Sequence, residues 1–161
     1  MDLFITGEKV DIKPIGENDT DMVKRWYSEH GLYGFATGRK NIEEILQVSP
    51  GSFVSGIYTK DEILIGLIAG DFKNINEKVV WIRTFLIDAG WQSKKFGTFS
   101  FDLLCRHLAE NYNVKRIYLS VPKKNRAGIN FWVKMGMYCV KTVKNGEAEK
   151  NGEVLIFEKV L

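Results

Sequence analysis

The chain has 161 residues, of which 45% are hydrophobic and 27% charged, a balance that can bury a core without disulfides or a structural metal and excludes a disordered polymer. Its net charge of +3 is too small for a dedicated nucleic-acid binder, and no apolar run approaches the roughly 18 residues of a membrane span. The charge is unevenly spread: residues 1–90 carry a net of −4 and residues 91–150 a net of +8.

In chain order, residues 8–15 alternate polar and apolar as a half-exposed strand does. Asn18 and Asp19 are candidate helix caps, and Met22, Val23, Trp26 and Tyr27 then recur at helical spacing, predicting a helix over 19–30 that His30 closes. A short second helix is expected over 41–48, with 28–40 between them as a glycine-containing loop. Three strand-like runs follow at 52–59, 62–72 and 78–88, with turns at Lys60-Asp61 and Lys73–Glu77, and they read as an antiparallel meander. After Gly97 the period changes, because Phe101, Leu104, Cys105 and Leu108 mark one face of a helix. Residues 115–121 read as a buried strand. Ile129, Trp132 and Val133 mark a last helix, ended by Gly136, and a hairpin pairs 137–144 with 153–160 across a polar loop. The order βααβββαβαββ describes a single mixed α/β domain over 1–161. In it, 78–88 and 115–121 can be parallel neighbours around a crossover helix.

Cys105 and Cys139 lie far apart with no C-x-x-C, and His30 and His107 are the only histidines, so neither a disulfide framework nor a metal site is expected. The N-terminus lacks the basic and apolar regions of a signal peptide, and a cytoplasmic protein is the expectation. Cys105 belongs to an apolar helix face, and Cys139 has no neighbouring base, so a covalent cysteine intermediate is not expected.

The informative segment runs from Leu86 to Thr98. A strand ends at Ile87-Asp88, a polar turn follows, and a helix begins near Gly97. Free amides at such a helix start form an anion site, to which Lys94 and Lys95 add charge and where Gly97 removes a Cβ. Neither the nucleotide P-loop nor the dinucleotide fingerprint is present. The segment resembles the acyl-CoA signature of the GNAT superfamily of N-acetyltransferases, [RQ]-x-x-G-x-[GA]. Gln92 and Gly97 match it, and Lys95 replaces its first glycine. Leu119, Val121, Asn125, Gly128, Phe131, Trp132 and Gly136 are similar to a second family segment, L-x-V-x-x-x-N-x-x-[AG]-x-x-[FL]-[YW]-x-x-x-G-F. The resemblance covers nearly the whole chain.

The resemblance implies a GNAT-like, mostly antiparallel central sheet and acetyl transfer from acetyl-CoA, the co-substrate, directly to a primary amine. It implies that amides of Ser93, Lys94, Lys95, Phe96, Gly97 and Thr98, after Gln92, bind the CoA pyrophosphate. It places the pantetheine arm along Phe85, Leu86 and Ile87, with the amide of Ile87 as oxyanion donor. Asn125 either contacts CoA or caps the last helix. Trp132 stands where many relatives carry an acidic tyrosine, and its place on the apolar stripe favours a core role beside the thioester.

No base is assigned. Ser120 and Trp81 occupy positions where some relatives carry a glutamate, while Asp71, Glu77 and Asp88 could act through water or be solvated strand ends. The segment 28–40 is expected to cover the acceptor, with Tyr27, Tyr33, Phe35 and Glu29 able to hold a small cationic amine. The acceptor is open between small amines and peptide amines, no nucleic-acid or membrane partner is expected, and the chain is a monomer or homodimer. The alternative is a CoA-binding module of the same fold with little catalysis, motivated by Lys95, Ser120 and Trp132.

Overall fold

The computed structural model describes residues 1–37, 41–73, 76, 78–144 and 152–161. Its strands are β1 (Ile5–Thr6), β2 (Val10–Lys13), β3 (Ser52–Thr59), β4 (Leu64–Phe72), β5 (Val79–Ile87), β6 (Arg116–Pro122), β7 (Tyr138–Lys144) and β8 (Glu153–Val160). Its helices are α1 (Thr20–Ser28), α2 (His30–Thr37), α3 (Ile42–Leu46), α4 (Phe96–Tyr112) and α5 (Arg126–Lys134). The strands form one sheet in the order β1-β2-β3-β4-β5-β6-β8-β7. Every neighbouring pair is antiparallel except β5 and β6, which run parallel around α4.

Alternation along β3 sends Phe53 and Ile57 to one face and Val54 and Tyr58 to the other, and each face has its own cover. On the first, Phe101, Leu104 and Leu108 of α4 and Trp132 of α5 complete a core with Ile65, Ile68, Val80 and Ile117. On the second, Val23, Trp26 and Tyr27 of α1, Tyr33 of α2 and Ile45 of α3 pack on Leu64, Leu67 and Leu86. Both faces being covered explains why all of β3, and β4 from Leu64 to Gly70, is buried without alternation.

The structure adds a short strand, β1, and the helix α2 to the expected order. Gly31 and Gly34 make 30–37 a poor helix by propensity. Tertiary bonds override that, since the Tyr33 hydroxyl is tied to Asp88 and Ala89 just past the end of β5; within the helix Thr37 Oγ1 donates to the Tyr33 carbonyl at 3.0 Å. His30 therefore opens α2 rather than closing the first helix, and a cation there gains nothing from the dipole. Asp19 precedes α1 without capping it, because its Oδ2 accepts from the Tyr58 hydroxyl at 2.9 Å. Most of the expected Lys73–Glu77 turn, the end of the 28–40 segment and the hairpin loop 145–151 lie outside the described residues.

One irregularity in β5 positions the site. The register steps from Ala69↔Thr84 to Gly70↔Ile82, so Arg83 is an extra residue, a bulge in β5. On the other side, β5 pairs with β6 only from Val79↔Arg116 to Ile82↔Leu119. Past that point the two strands share no ladder, and a cleft opens between them.

The β4 side of the opening is closely packed. A Cβ on Gly66 would run into the Leu86 carbonyl oxygen and meet the Ile57 and Ile87 Cδ1 atoms at 3.0 Å. Gly66→Ala is therefore expected to cost about 2 kcal/mol through overpacking. In urea unfolding this appears as a lowered midpoint with an unchanged slope.

Candidate active site

Backbone geometry gives the cleft its chemistry. The Asp88 amide donates to the Ile65 carbonyl at 2.8 Å, making that cross-strand pair a bonded one. Antiparallel ladders alternate, so Leu86 and Thr84 also bond toward β4, while Phe85 and Ile87 turn their amide groups to the opposite edge. No β6 ladder reaches that edge. The Gln92 side chain donates Nε2–H to the Ile87 carbonyl at 2.8 Å. The Ile87 N–H is thus left facing the cleft, beside a carbonyl already satisfied.

A cavity of about 900 Å³ occupies this opening. One wall is β5 from Ile82 to Ile87, and β6 from Leu119 to Pro122 faces it. The turn residues Gln92, Ser93, Lys95, Phe96, Gly97 and Thr98 close one end, and Asn125, Phe131 and Trp132 stand on the α5 side. Leu32, Tyr33, Phe35 and Ala36 of α2 line the other end. The two motif segments therefore meet at one cavity. Lys94 is the expected residue that does not line it; its ammonium lies over the Trp91 ring, 5.3 Å from the centroid.

The turn is shaped by two left-handed residues, Ser93 at φ +62° and Lys95 at φ +67°. Lys95 therefore occupies, at a strain a glycine would avoid, a conformation that explains the glycine of the family pattern. The amides of Phe96, Gly97 and Thr98 begin α4 and donate to no acceptor among the described residues. Gly97 also has a packing reason, since its Cβ would lie 3.2 Å from the Phe131 ring.

Asn125 caps α5, its Oδ1 accepting from the Gly128 amide at 2.9 Å, and a Cβ on Gly128 would strike the Asn125 amide. Trp132 is buried against Phe85, Phe101 and Phe131 at centroid distances of 5.3, 5.1 and 4.8 Å. Lys124, Arg126 and Lys134 add positive charge to the wall, whereas Lys123 pairs with Glu153 at 3.0 Å.

Asp88 ties the two ends of the cavity together. Its Oδ1 accepts from Trp26 Nε1 at 2.8 Å and from Tyr33 and Arg25 at 3.2 Å, and its Oδ2 accepts from the Gly90 amide at 3.0 Å. The Tyr33 hydroxyl in turn accepts from the Ala89 amide at 3.0 Å. Burial opposes the charge on Asp88, but bonds from Trp26, Gly90 and Tyr33 and the Arg25 guanidinium outweigh it and hold the carboxyl below its ordinary range. A carboxylate so fully engaged is a poor base.

The other base candidates among the described residues fare no better. Asp71 pairs with Arg83 at 3.0 Å and Lys73 at 3.5 Å, and Glu77 lies outside the described residues. Trp81 stacks on Tyr118 away from the cavity, and Ser120 lines it with a hydroxyl that is no base near neutral pH. Burial pushes the Cys105 thiol up to about 12, and Cys139 is exposed on β7. Tyr33 and Phe35 do line the acceptor end, but Tyr27 is buried behind it and Glu29 is paired with Arg25 at 3.7 Å. The expected cage for a cation is not assembled there. Arg83 and Thr84, which do line the cavity, owe their position to the bulge, for which the sequence carries no signal.

Residues 20–137 match the model of the acetyltransferase (GNAT) family. The spermine/spermidine N(1)-acetyltransferase of Bacillus subtilis (strain 168) is 31% identical over 109 residues, covering 65% of this chain and 68% of that protein. Among solved structures, spermidine N-acetyltransferase from Vibrio cholerae in complex with CoA and spermine superposes with a TM-score of 0.79, at 13% identity over 96% of each chain. A GNAT-family acetyltransferase from Bacillus anthracis gives 0.80, at 16% identity over 98% of each chain. The structural likenesses establish the fold.

Asp88→Asn is expected to lower stability at pH 7 by about 2 kcal/mol through weakened charge-assisted bonds. Because the folded carboxyl pKa is depressed, its contribution is complete above the unfolded value of about 3.9 and is lost as pH falls through the lower folded value. The gap between wild type and variant in urea melts should therefore close below about pH 4. Lys95→Gly relieves the left-handed strain and should raise stability by up to about 1 kcal/mol in the same assay.

Proposed function

We propose that this chain, which belongs to the GNAT family of acetyltransferases and transfers acetyl from acetyl-CoA to an amine, carries out the transfer directly inside the β5–β6 cavity. The observation that carries this reading is the unpaired edge of β5. Phe85 and Ile87 present amide groups to a cleft where no strand completes their bonding, and a pantetheine arm carries amides that can. The free amides of Phe96, Gly97 and Thr98, with Lys95, Lys124 and Arg126, suit the pyrophosphate and phosphate end of the same substrate.

In this reading the acceptor enters from the α2 end and its neutral nitrogen attacks the thioester carbonyl carbon. The C–N bond forms, the carbonyl oxygen gains charge beside the Ile87 N–H, and the C–S bond then breaks to release thiolate. The Ile87 amide is preorganised for this role because Gln92 fixes the peptide that follows it. Orientation of the two substrates along one cleft supplies much of the remaining rate. The proton leaves through solvent, since the carboxylates nearest the cavity are engaged elsewhere. The Bacillus subtilis relative is named for spermine and spermidine, so a small primary amine is the acceptor class that its name supports.

Titration calorimetry with acetyl-CoA and free-thiol release across an amine panel test this reading. Lys124→Ala with Arg126→Ala should weaken CoA binding about tenfold and flatten its dependence on salt. Thiol release that is independent of any amine would contradict direct transfer.

A further inference from the structure

Every charged residue lining the cavity among the described residues is basic: Arg83, Lys95, Lys124, Arg126 and Lys134. Of these, Arg83 lies on the bulge of β5, beside Thr84 and just before the strand residues assigned to the pantetheine arm. Its side chain is 19% exposed, and its Nε pairs with Asp71 Oδ2 at 3.0 Å. That pair is one of proximity, since the Nε makes no hydrogen bond, and the two Nη groups have no hydrogen-bond partner among the described residues. The same Asp71 oxygen also lies 3.5 Å from Lys73, so that carboxylate is shared between two cations.

A polyamine finds no carboxylate on the described wall of the cavity to hold its charges. A guanidinium with free Nη groups is instead the side chain best shaped to hold a carboxylate by two parallel bonds. Positive surroundings also favour the neutral, nucleophilic form of a bound amine, which matters where the wall offers no base. The rest of the acceptor end is apolar. Leu32 and Phe35 of α2 are 65% and 59% exposed and line the cavity with Ala36.

We propose that the acceptor is a primary amine carrying a carboxylate and an apolar group, with Arg83 holding the carboxylate and Leu32 and Phe35 contacting the apolar part. The proposal rests on the direct-transfer reading above and names the substrate class of that site. The amine nitrogen bonds to the acetyl carbon, the C–S bond breaks with its electron pair going to sulfur, and the ammonium proton passes to solvent. The products are an N-acetylated amino carboxylate and CoA.

The test measures thiol release with saturating acetyl-CoA and three acceptors: L-phenylalanine, phenethylamine, which lacks only the carboxylate, and spermidine. L-Phenylalanine should exceed each of the others at least tenfold in kcat/KM. Arg83→Gln should lower the phenylalanine-to-phenethylamine ratio at least tenfold, mainly through KM, and Arg83→Lys should retain more of that ratio. Equal or better turnover of spermidine or phenethylamine by the wild type overturns the proposal, as does an unchanged ratio in a folded Arg83→Gln. If Arg83→Gln does not fold, the wild-type panel and Arg83→Lys decide. Acetyl-CoA binding is measured in the same samples. Binding without thiol release from any of the three overturns the acceptor class alone, whereas no binding overturns the transfer reading beneath it.

Discussion

Everything at the candidate site depends on β5 losing its partner. The bulge at Arg83 shifts the strand by one residue, and pairing with β6 stops at Ile82. Buried backbone groups without partners are costly, so an open strand edge inside a protein is a feature to be completed by something else. Here the open edge includes Phe85 and Ile87, and the cavity lies against it. The start of α4 and the cap of α5 converge on the same opening and add unpaired amides and positive charge.

The two ends of the cavity are joined by a small polar device. Asp88 gathers donors from α1, α2 and the turn after β5, while Gln92 secures the Ile87 carbonyl. A displacement of the acceptor-side helices therefore disturbs the peptide beside which the acetyl group is proposed to sit. Of the carboxylates that looked available in the sequence, Asp88 is occupied in this positioning and Asp71 is paired with Arg83. The chemistry then rests on orientation and on a fixed amide dipole more than on proton transfer by a side chain.

Much of this was legible in the sequence because it rests on local pattern. The strands at 52–59, 78–88 and 115–121 and the stripe of α4 follow from apolar periodicity, and both motif segments reach the cavity. What escaped depends on tertiary contact. Gly31 and Gly34 argue against a helix, and Tyr33 holds one there through Asp88. The fit of Gly97 against Phe131 needs the α4–α5 geometry, which no spacing encodes, whereas the Asn125 cap is a local bond that the sequence offered as one of two readings. A bulge of one residue leaves no compositional trace, so Arg83 could not be read as part of the site.

The excess charge along the chain reaches the cavity from its basic block alone. Lys95, Lys124 and Arg126 from the basic block do face the cavity, yet the acidic block supplies no carboxylate to its described wall. The central claim is that the amides of Phe85 and Ile87 are held open for the substrate, and amide hydrogen exchange tests it residue by residue. Without ligand, Leu86 and Thr84 should be protected through β4 while Phe85 and Ile87 exchange faster, and saturation with CoA should slow the latter pair selectively. Equal protection of all four amides before ligand is added, or no change at Phe85 and Ile87 on saturation, would contradict it.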